Sequence, residues 1–406
     1  MTPIKFIHTA DWHICDYQYC RTFRGEDVTR AVWEIVDLAI AEKFDFIING
    51  GDTFQIKTPS GGMLDLLFAV HHKLKAAGIP MFVVTGNHDM MTPTFLKLPA
   101  YESDDNEMAG VVCIDNRIIE YKGLKIAGFP GHPWQEVAPL IEAMEPVDIL
   151  CWHGAIDAFV PFPMDNAWPI GDIPRGKARA WLLGDIHLPG RQRLEDGTLV
   201  GYPGPIELRE QGEPAQKHVD IYTLQEGWRA GDFPEPFEYE LDTRKVVFLS
   251  INDEKQADQA LGVVRQAVLD TPDRMPMVFL RYAREMKHSV TRIRELLDLR
   301  FTVFRAATAA AVYRSAVRTG ESGVGRPLLP GVVDQVLPPG TPLNVLAQTL
   351  AVSGADIRLH LTHWIEEQMR LTAVPEGLPR ILPPATATAI PENSIVESDY
   401  ESKPLF

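Results

Sequence analysis

The feature that most constrains the fold of this chain is a pattern repeated through its first half, in which an apolar run ends in a short polar segment. The clearest case is Gly86-Asn87-His88-Asp89, directly behind the apolar run Pro80 to Thr85. Other segments of this kind also follow apolar runs: Asp11-Trp12-His13, Gly51-Asp52, His153 and Gly184-Asp185-Ile186-His187. Because open α/β sheets place their sites at the carboxyl ends of their strands, we expect these segments to converge.

The runs between these segments predict a layered α/β fold. Residues 4–9, 44–49 and 80–85 are predicted strands, and they alternate with helical stripes of apolar residues at 27–43 and 63–77. Residues 111–121 and 124–129 are predicted to form a β-hairpin that turns at Lys122-Gly123. Further strands are predicted before His153, before Asp185, and at 200–207, 218–224 and 237–241. Strand–helix alternation of this kind is typical of sheets flanked by helices.

The length of 406 residues predicts more than one folded unit. We expect a first domain at 1–240 and a small β-α-β-α-β domain at 241–320. Residues 321–341 are rich in Gly and Pro and are predicted to be a linker. Residues 342–372 carry helical apolar stripes, for which a partner-binding helix is favoured over one that covers its own core. Residues 373–406 hold prolines and acidic side chains, which predicts disorder.

The charge of the chain is unevenly distributed. Its formal net charge of -16 argues against non-specific nucleic-acid binding by the whole surface. Between Lys245 and Arg326, however, 14 Lys and Arg face 9 Asp and Glu, a balance of +5, so the remainder carries -21. This basic segment favours a polyanionic partner and is equally compatible with a helix face of scattered arginines. Candidate phosphate contacts are Arg281, Arg284, Arg292, Arg294 and Arg305.

The residue types in the polar segments are those of a two-metal phosphoesterase site. Two divalent ions about 3.5–4 Å apart can hold a phosphate and activate water. Asp52, behind two glycines, is the natural bridging ligand. Asp11 and His13 lie two apart, so in extended structure they would point the same way, and Asp185 and His187 repeat this spacing. Oxygen ligands mixed with imidazole favour Mn²⁺ or Mg²⁺, with iron and zinc as alternatives.

The residues of the tetrapeptide Gly86-Asn87-His88-Asp89 are predicted to have different roles. Asn87 offers a neutral carbonyl oxygen as a ligand, and His88 can point past the metals and give a proton to the leaving oxygen. Asp89 is expected to orient His88, as carboxylates do for functional imidazoles. Each motif alone is more often a cap or a turn. All five together, each behind a strand, point to catalysis on a phosphodiester bond.

The five motifs resemble the signature of the calcineurin-like metallophosphoesterases. Ile7-His8-Thr9-Ala10-Asp11-Trp12-His13 and Tyr202-Pro203-Gly204-Pro205 further resemble the SbcD group, the bacterial relatives of the meiotic recombination eleven nuclease. The motifs extend over residues 1 to 210. The resemblance implies a β-sandwich nuclease domain flanked by helices, a small α/β capping domain that helps to grip DNA, and exo- or endonuclease activity in DNA repair or recombination.

The resemblance also implies a ligand set and partners. One metal would be held by Asp11, His13, Asp52 and His187, and the other by Asp52, Asn87, His153 and Asp185, with His88 as general acid. Residues 342–372 would bind an SbcC-type ATPase, in a heterotetramer that contains a homodimer of this chain. The chain has no Walker A pattern, so an ATP-driven step requires another chain.

Two positions depart from the group. It usually has His where this chain has Asp185, and it often has a phosphate-positioning His where this chain has Gln55. A carboxylate can still bind a hard metal, so we expect metal binding to survive with a changed metal preference. Because Gln55 stands in place of that His, the sequence predicts phosphodiester hydrolysis more firmly than end-directed cutting. The alternatives are a phosphatase or cyclic-nucleotide phosphodiesterase on the same site, and a non-catalytic scaffold.

The cellular location is inferred from three features. No run approaches the roughly 18 apolar residues that span a bilayer. The N-terminus has no signal-peptide pattern. The four cysteines show no metal-binding spacing, so free thiols in a reducing cytoplasm are expected. We therefore expect a cytoplasmic protein with no membrane association.

Overall fold

The computed structural model describes residues 3–19, 21–90, 94–102, 108–160, 164, 166–225, 233–271, 273–282, 286–296 and 302–306. The first elements are β1 (Ile4–Thr9), α1 (Phe23–Ala41), β2 (Phe46–Asn49), α2 (Gly61–Ala77), β3 (Pro80–Val83), β4 (Gly110–Cys113), β5 (Arg117–Tyr121), β6 (Leu124–Phe129), α3 (Trp134–Ala143) and β7 (Val147–His153). They are followed by β8 (Ala178–Gly184), β9 (Gly190–Arg193), β10 (Leu199–Tyr202), β11 (His218–Leu224) and β12 (Phe237–Glu240).

These strands form two sheets that pack face to face. One sheet has the order β12-β11-β1-β2-β3-β4 and the other β5-β6-β7-β8-β10-β9. Side chains alternate along each strand, so one set fills the space between the sheets and the other faces the helices. Phe6, Phe82 and Ile149 lie in the inner core, whereas α1 and α2 cover the outer face of the first sheet. Helix α3 covers the outer face of the second. The predicted layered α/β fold is confirmed.

The predicted hairpin of residues 111–121 and 124–129 is only half correct. β5 does pair antiparallel with β6, but β4 pairs with β3 in the other sheet. The chain crosses between sheets at Asp115, whose carboxylate accepts the Thr85 backbone N–H at 2.8 Å, and Asn116 then turns with φ 53°. An uninterrupted apolar run therefore conceals a change of sheet. Strand β9 was not predicted, and the predicted strand at 200–207 ends at Tyr202.

A third sheet follows the sandwich. Its elements are β13 (Val246–Ile251), α4 (Glu254–Asp270), β14 (Met277–Tyr282), α5 (Lys287–Leu296) and β15 (Thr302–Ala306). The strands are parallel in the order β13-β14-β15, and the helices α4 and α5 cover one face with a core of their own. The β-α-β-α-β order is as predicted, while the domain boundary near residue 240 stays a prediction. The predicted linker, helical segment and tail lie outside the described residues.

Buried polar and aromatic contacts join the third sheet to the sandwich. Arg244, at the entry to β13, donates to both carboxylate oxygens of Asp27 on α1, at 2.7 and 2.8 Å. Asp27 also accepts from Arg24 at 2.7 Å, and all three side chains are buried. On the face opposite α4, the ring of Phe279 packs edge-on against Tyr19, with 5.4 Å between centroids. The contact between Phe279 and Tyr19 therefore joins β14 to the loop that follows Asp11-Trp12-His13.

Candidate metal centre

The predicted site residues come together at one end of the sandwich. They lie at or just beyond the carboxyl ends of β1, β2 and β3 of the first sheet, which are mutually parallel, and of β7 and β8 of the second, also parallel. Backbone hydrogen bonds lock neighbouring loops: Asp11 N donates to Gly51 O at 3.0 Å, and His13 N to Asp52 O at 2.8 Å. Ligand atoms cluster as three groups that could hold a cation: Asp11-His13-His187, His13-Asp52-His88 and Asp11-Asp52-His153.

The local backbone is left-handed rather than extended. Asp11, His13, Asp52 and Asp185 have φ values of 52°, 46°, 50° and 95°, a region that non-glycine residues seldom adopt and that occurs at functional sites. The expectation that Asp11 and His13 converge through extended structure is therefore wrong. Their side chains still lie in one group of potential ligands together with His187.

Asp52 lies at the centre of the cluster. Its Oδ2 is 3.7 Å from Nε2 of His13, and its Oδ1 is 3.4 Å from Nε2 of His153. The two imidazoles belong to the two predicted ligand sets, so a carboxylate oxygen faces each of them. This is the arrangement that a ligand bridging two cations requires.

The first ligand set is closely packed. Nε2 of His13 lies 3.2 Å from Nε2 of His187, and both can share a cation with Asp11. Asp11 and His13 are fully or almost fully buried. Two imidazole nitrogens that face each other at this distance need either a proton or a cation between them, which fits a metal ion.

The second ligand set surrounds His153. Its Nε2 lies 3.6 Å from Oδ1 of Asp185 and 3.0 Å from Oδ1 of Asn87, while Nδ1 is 2.8 Å from the Gly50 carbonyl oxygen. The place of that Asn87 atom is also 3.0 and 3.1 Å from the carboxylate oxygens of Asp52. With a cation bound, the Asn87 amide oxygen is favoured at this position, because it can be a ligand. Without a cation, the amide nitrogen is favoured there, because it can donate to the Asp52 carboxylate. The donor set therefore fits a hard divalent ion.

Burial and mutual charge shift the pKa values of these groups in opposite directions. Burial raises the pKa of Asp11 to about 6, and the charge of His153 offsets part of this rise. Burial by itself would lower the pKa of His153, but the neighbouring Asp52 carboxylate holds it well above 6.5. Burial would likewise raise the pKa of Asp52, yet the charge of His153 holds it below its usual range. Protonated His153 therefore supplies, among the Asp11 and Asp52 carboxylates, positive charge of the kind that a bound metal ion would supply.

His88 is held differently from expectation. Its Nδ1 lies 2.6 Å from the backbone carbonyl oxygen of Gln55, so Nδ1 carries the proton and donates it. The Asp89 carboxylate instead accepts the backbone N–H groups of Thr53, Phe54 and Gly86, at 2.9, 2.8 and 3.1 Å. The expectation that Asp89 orients the His88 ring directly is therefore wrong. Asp89 ties together the two loops that follow β2 and β3, because its carboxylate accepts backbone N–H groups from both.

Two functional candidates escaped sequence reasoning. Buried Glu213 accepts from Nδ1 of His187 at 2.9 Å and from the buried Lys217 ammonium at 2.7 Å, so a carboxylate supports a candidate metal ligand. Burial would raise the pKa of Glu213, but the hydrogen bond from His187 and the charge of Lys217 keep it lowered. The second is Arg209, also buried. Arg209 lies two residues after the predicted strand 200–207 and Glu213 six residues after it, but neither belongs to a polar motif of the kind found at the other strand ends.

The predicted phosphate contacts in the third sheet are only partly described. Arg281 is exposed on β14, level with Arg305 on β15. Arg284 lies outside the described residues, and the side chains of Arg292, Arg294 and Arg305 are outside the described set. Their role in binding DNA stays a prediction. Cys15, Cys113 and Cys151 are free and buried, as expected. No helix in the described ranges is long and apolar enough to cross a bilayer.

Comparison with known proteins places these motifs in context. Residues 4–189 match the calcineurin-like phosphoesterase family. The DNA double-strand break repair protein Mre11 of Saccharolobus solfataricus is 27% identical over 224 residues, 52% of this chain and 56% of that protein. The proteins of the same name from Archaeoglobus fulgidus and Sulfurisphaera tokodaii are 28% and 27% identical, covering 62% of this chain in each case. The chain spans 56%, 62% and 66% of these relatives' lengths.

Proposed function

We propose that this chain, whose residues 4–189 form a calcineurin-like phosphoesterase domain, is a metal-dependent DNA nuclease. The observation that carries the proposal is the position of Asp52 between His13 and His153, where one carboxylate can bridge two cations. The predicted ligands Asp11, His13, Asp52, Asn87, His153, Asp185 and His187 would hold them. Manganese is the favoured metal and magnesium the alternative, because the donors combine oxygen and imidazole.

Two bound divalent ions would hold the scissile phosphate and lower the pKa of a water molecule. Asp52 and the flanking ligands would fix the positions of the ions and, through them, the position of that phosphate. His88 is half-buried, and among the described residues its Nε2 has no hydrogen-bond partner. With Nδ1–H donated to Gln55, a protonated His88 presents Nε2–H to the leaving oxygen and acts as general acid. Asp89 keeps the His88 loop in place through the backbone of Thr53 and Phe54.

DNA is the proposed substrate for two reasons. The relatives just described are named as DNA double-strand break repair proteins. A third sheet with a basic surplus follows the sandwich, and a small phosphate ester would not require it. We propose that residues 241–320 are a capping domain that contacts DNA, and that residues 342–372 bind an SbcC-type ATPase in a cytoplasmic heterotetramer containing a homodimer of this chain. A phosphatase or cyclic-nucleotide phosphodiesterase is the competing function.

The test uses the full chain, Mn²⁺ and end-labelled single- and double-stranded DNA. We expect cleavage that EDTA abolishes and that is lost in Asp52→Ala. The same preparations are assayed with small phosphate monoesters and cyclic nucleotides. Turnover of those compounds without cleavage of DNA, alone or with the ATPase added, would establish the competing function instead.

A further inference from the structure

Arg209 differs from the other buried arginines of the described residues. Arg24 lies 2.7 Å from a carboxylate oxygen of Asp27 and 3.0 Å from one of Glu207, and Arg244 pairs with Asp27. Arg209 is 8% exposed, yet among the described residues its guanidinium forms no ion pair. Its partners are Oε1 of Gln55, reached by Nη2, and Sγ of Cys15 at 3.9 Å. A buried cation with only neutral partners is costly.

The contacts of Arg209 indicate where an anion that pairs with its guanidinium would bind. The Glu213 carboxylate accepts the Arg209 backbone N–H at 2.9 Å and Nδ1 of His187 at 2.9 Å. Gln55 contacts the Arg209 guanidinium through its side chain and the His88 ring through its backbone carbonyl. Shared contacts therefore place Arg209 beside His187 of the first ligand set and beside His88. The Asp11 and Asp52 carboxylates of that centre are grouped with its imidazoles, and no carboxylate of the described residues pairs with the Arg209 guanidinium, which leaves it able to bind an anionic ligand.

The chain holds Arg209 firmly in this place. Its backbone N–H donates to Oε2 of Glu213 at 2.9 Å, and its carbonyl accepts from Gln18 at 2.8 Å and from the Tyr19 hydroxyl at 2.6 Å. Gln55 has two tasks, since its side chain contacts Arg209 and its backbone carbonyl holds the ring of His88. Gln55 thus positions both the Arg209 guanidinium and the proposed general acid, His88.

We propose that Arg209 binds a non-bridging oxygen of the substrate phosphate at the metal centre. This inference rests on the proposed function for its substrate. A planar guanidinium matches phosphate with paired N–H donors, which a lysine ammonium cannot reproduce. Arg209 would carry the charge that holds the phosphate beside the first ligand set, while Gln55 fixes its orientation. Its role is to bind and orient the substrate, and no proton passes through it.

The experiment measures binding of inorganic phosphate to the manganese-loaded full chain by calorimetry. We expect Arg209→Gln to weaken phosphate binding about 10- to 100-fold, as loss of a charged hydrogen bond does, and Arg209→Lys to weaken it less. Arg265→Gln removes the same charge from the exposed face of α4 and should leave phosphate affinity unchanged. Manganese affinity should be equal in all four proteins, which separates phosphate binding from metal binding.

Two results would overturn the inference: unchanged phosphate affinity in Arg209→Gln, or a parallel loss of manganese that accounts for the phosphate effect. If the glutamine variant does not fold, Arg209→Lys decides alone, because weaker phosphate binding supports the inference and unchanged binding refutes it. Phosphate binding requires no turnover. A protein that binds phosphate through Arg209 but cleaves no DNA would therefore refute the proposed function alone, and cleavage with unaltered phosphate binding in Arg209→Gln would refute this inference alone.

Discussion

The backbone N–H of His88 donates a 2.8 Å hydrogen bond to Oδ1 of Asp52. The same oxygen faces His153, so the residue proposed as general acid and the carboxylate proposed to bridge the metals are directly joined. The loop after β3 therefore cannot move without disturbing the centre of the site. This coupling explains why glycine stands at the start of the loop, where any side chain would press on Asp52.

Gly86→Ala should damage the site through a steric clash. A Cβ atom at this position would lie 2.1 Å from Oδ1 and 2.2 Å from the backbone nitrogen of Asp52, so the carboxylate must move. Because a displacement of about 1 Å can cost about 100-fold in rate, we expect a loss of that order in DNA cleavage. Gly171→Ala is the control, since nothing lies within 4 Å of its Cβ. Equal rates in both variants would contradict this account of Gly86.

Glu213→Gln should weaken metal binding from a distance. The carboxylate that accepts from His187 would become a neutral amide, and such partners typically contribute about 10- to 100-fold in metal affinity. Manganese titration by calorimetry measures the change. Glu210→Gln, an exposed acid three residues earlier, should have no effect. If both variants bind manganese like the unaltered protein, Glu213 does not support the ligand.

The active segments were predictable because each ligand lies within a few residues of a strand end. Asp11, Asp52, Asn87, His153 and Asp185 are all of this kind. Glu213 was not predictable, since it reaches His187 across 26 residues of chain and lies eleven residues beyond the end of β10. Asp89 was assigned the wrong partner because proximity in sequence concealed backbone donors on another loop. The division between β4 and β5 was missed because the apolar run is continuous while the sheet changes.

Manganese binding should release protons. In the free protein, the pKa of Asp11 is raised to about 6 and that of His153 lies well above 6.5, whereas ligation needs the ionised carboxylate and the neutral imidazole. Affinity should therefore fall as pH drops through about 6 and rise further above neutrality as His153 loses its proton. Calorimetry at pH 7 in buffers of different ionisation enthalpy measures the release, and His153→Asn should reduce it. A binding enthalpy independent of buffer would contradict this prediction.

The junction between the sandwich and the third sheet should depend on Asp27. Arg244→Met leaves Asp27 with one guanidinium instead of two, and breaking a buried pair typically costs about 3–5 kcal/mol in the free energy of unfolding. The double variant Asp27→Asn/Arg244→Met should lose less than the sum of the single variants, because they remove the same interaction. Lys245→Met, which removes an exposed pair with Asp270, should leave denaturant unfolding unchanged. Additive losses would show that the pair is not coupled.

The central claim is that Asp52 and its neighbours hold two metal ions while His88 gives a proton to the leaving oxygen. Elemental analysis and DNA cleavage on the same manganese-loaded preparations test it most directly. We expect two manganese ions per chain in both the unaltered protein and His88→Ala, with cleavage by the variant slower by about 10²–10⁴-fold. Cleavage by His88→Ala at the unaltered rate, or an active protein that holds a single manganese ion, would contradict the claim.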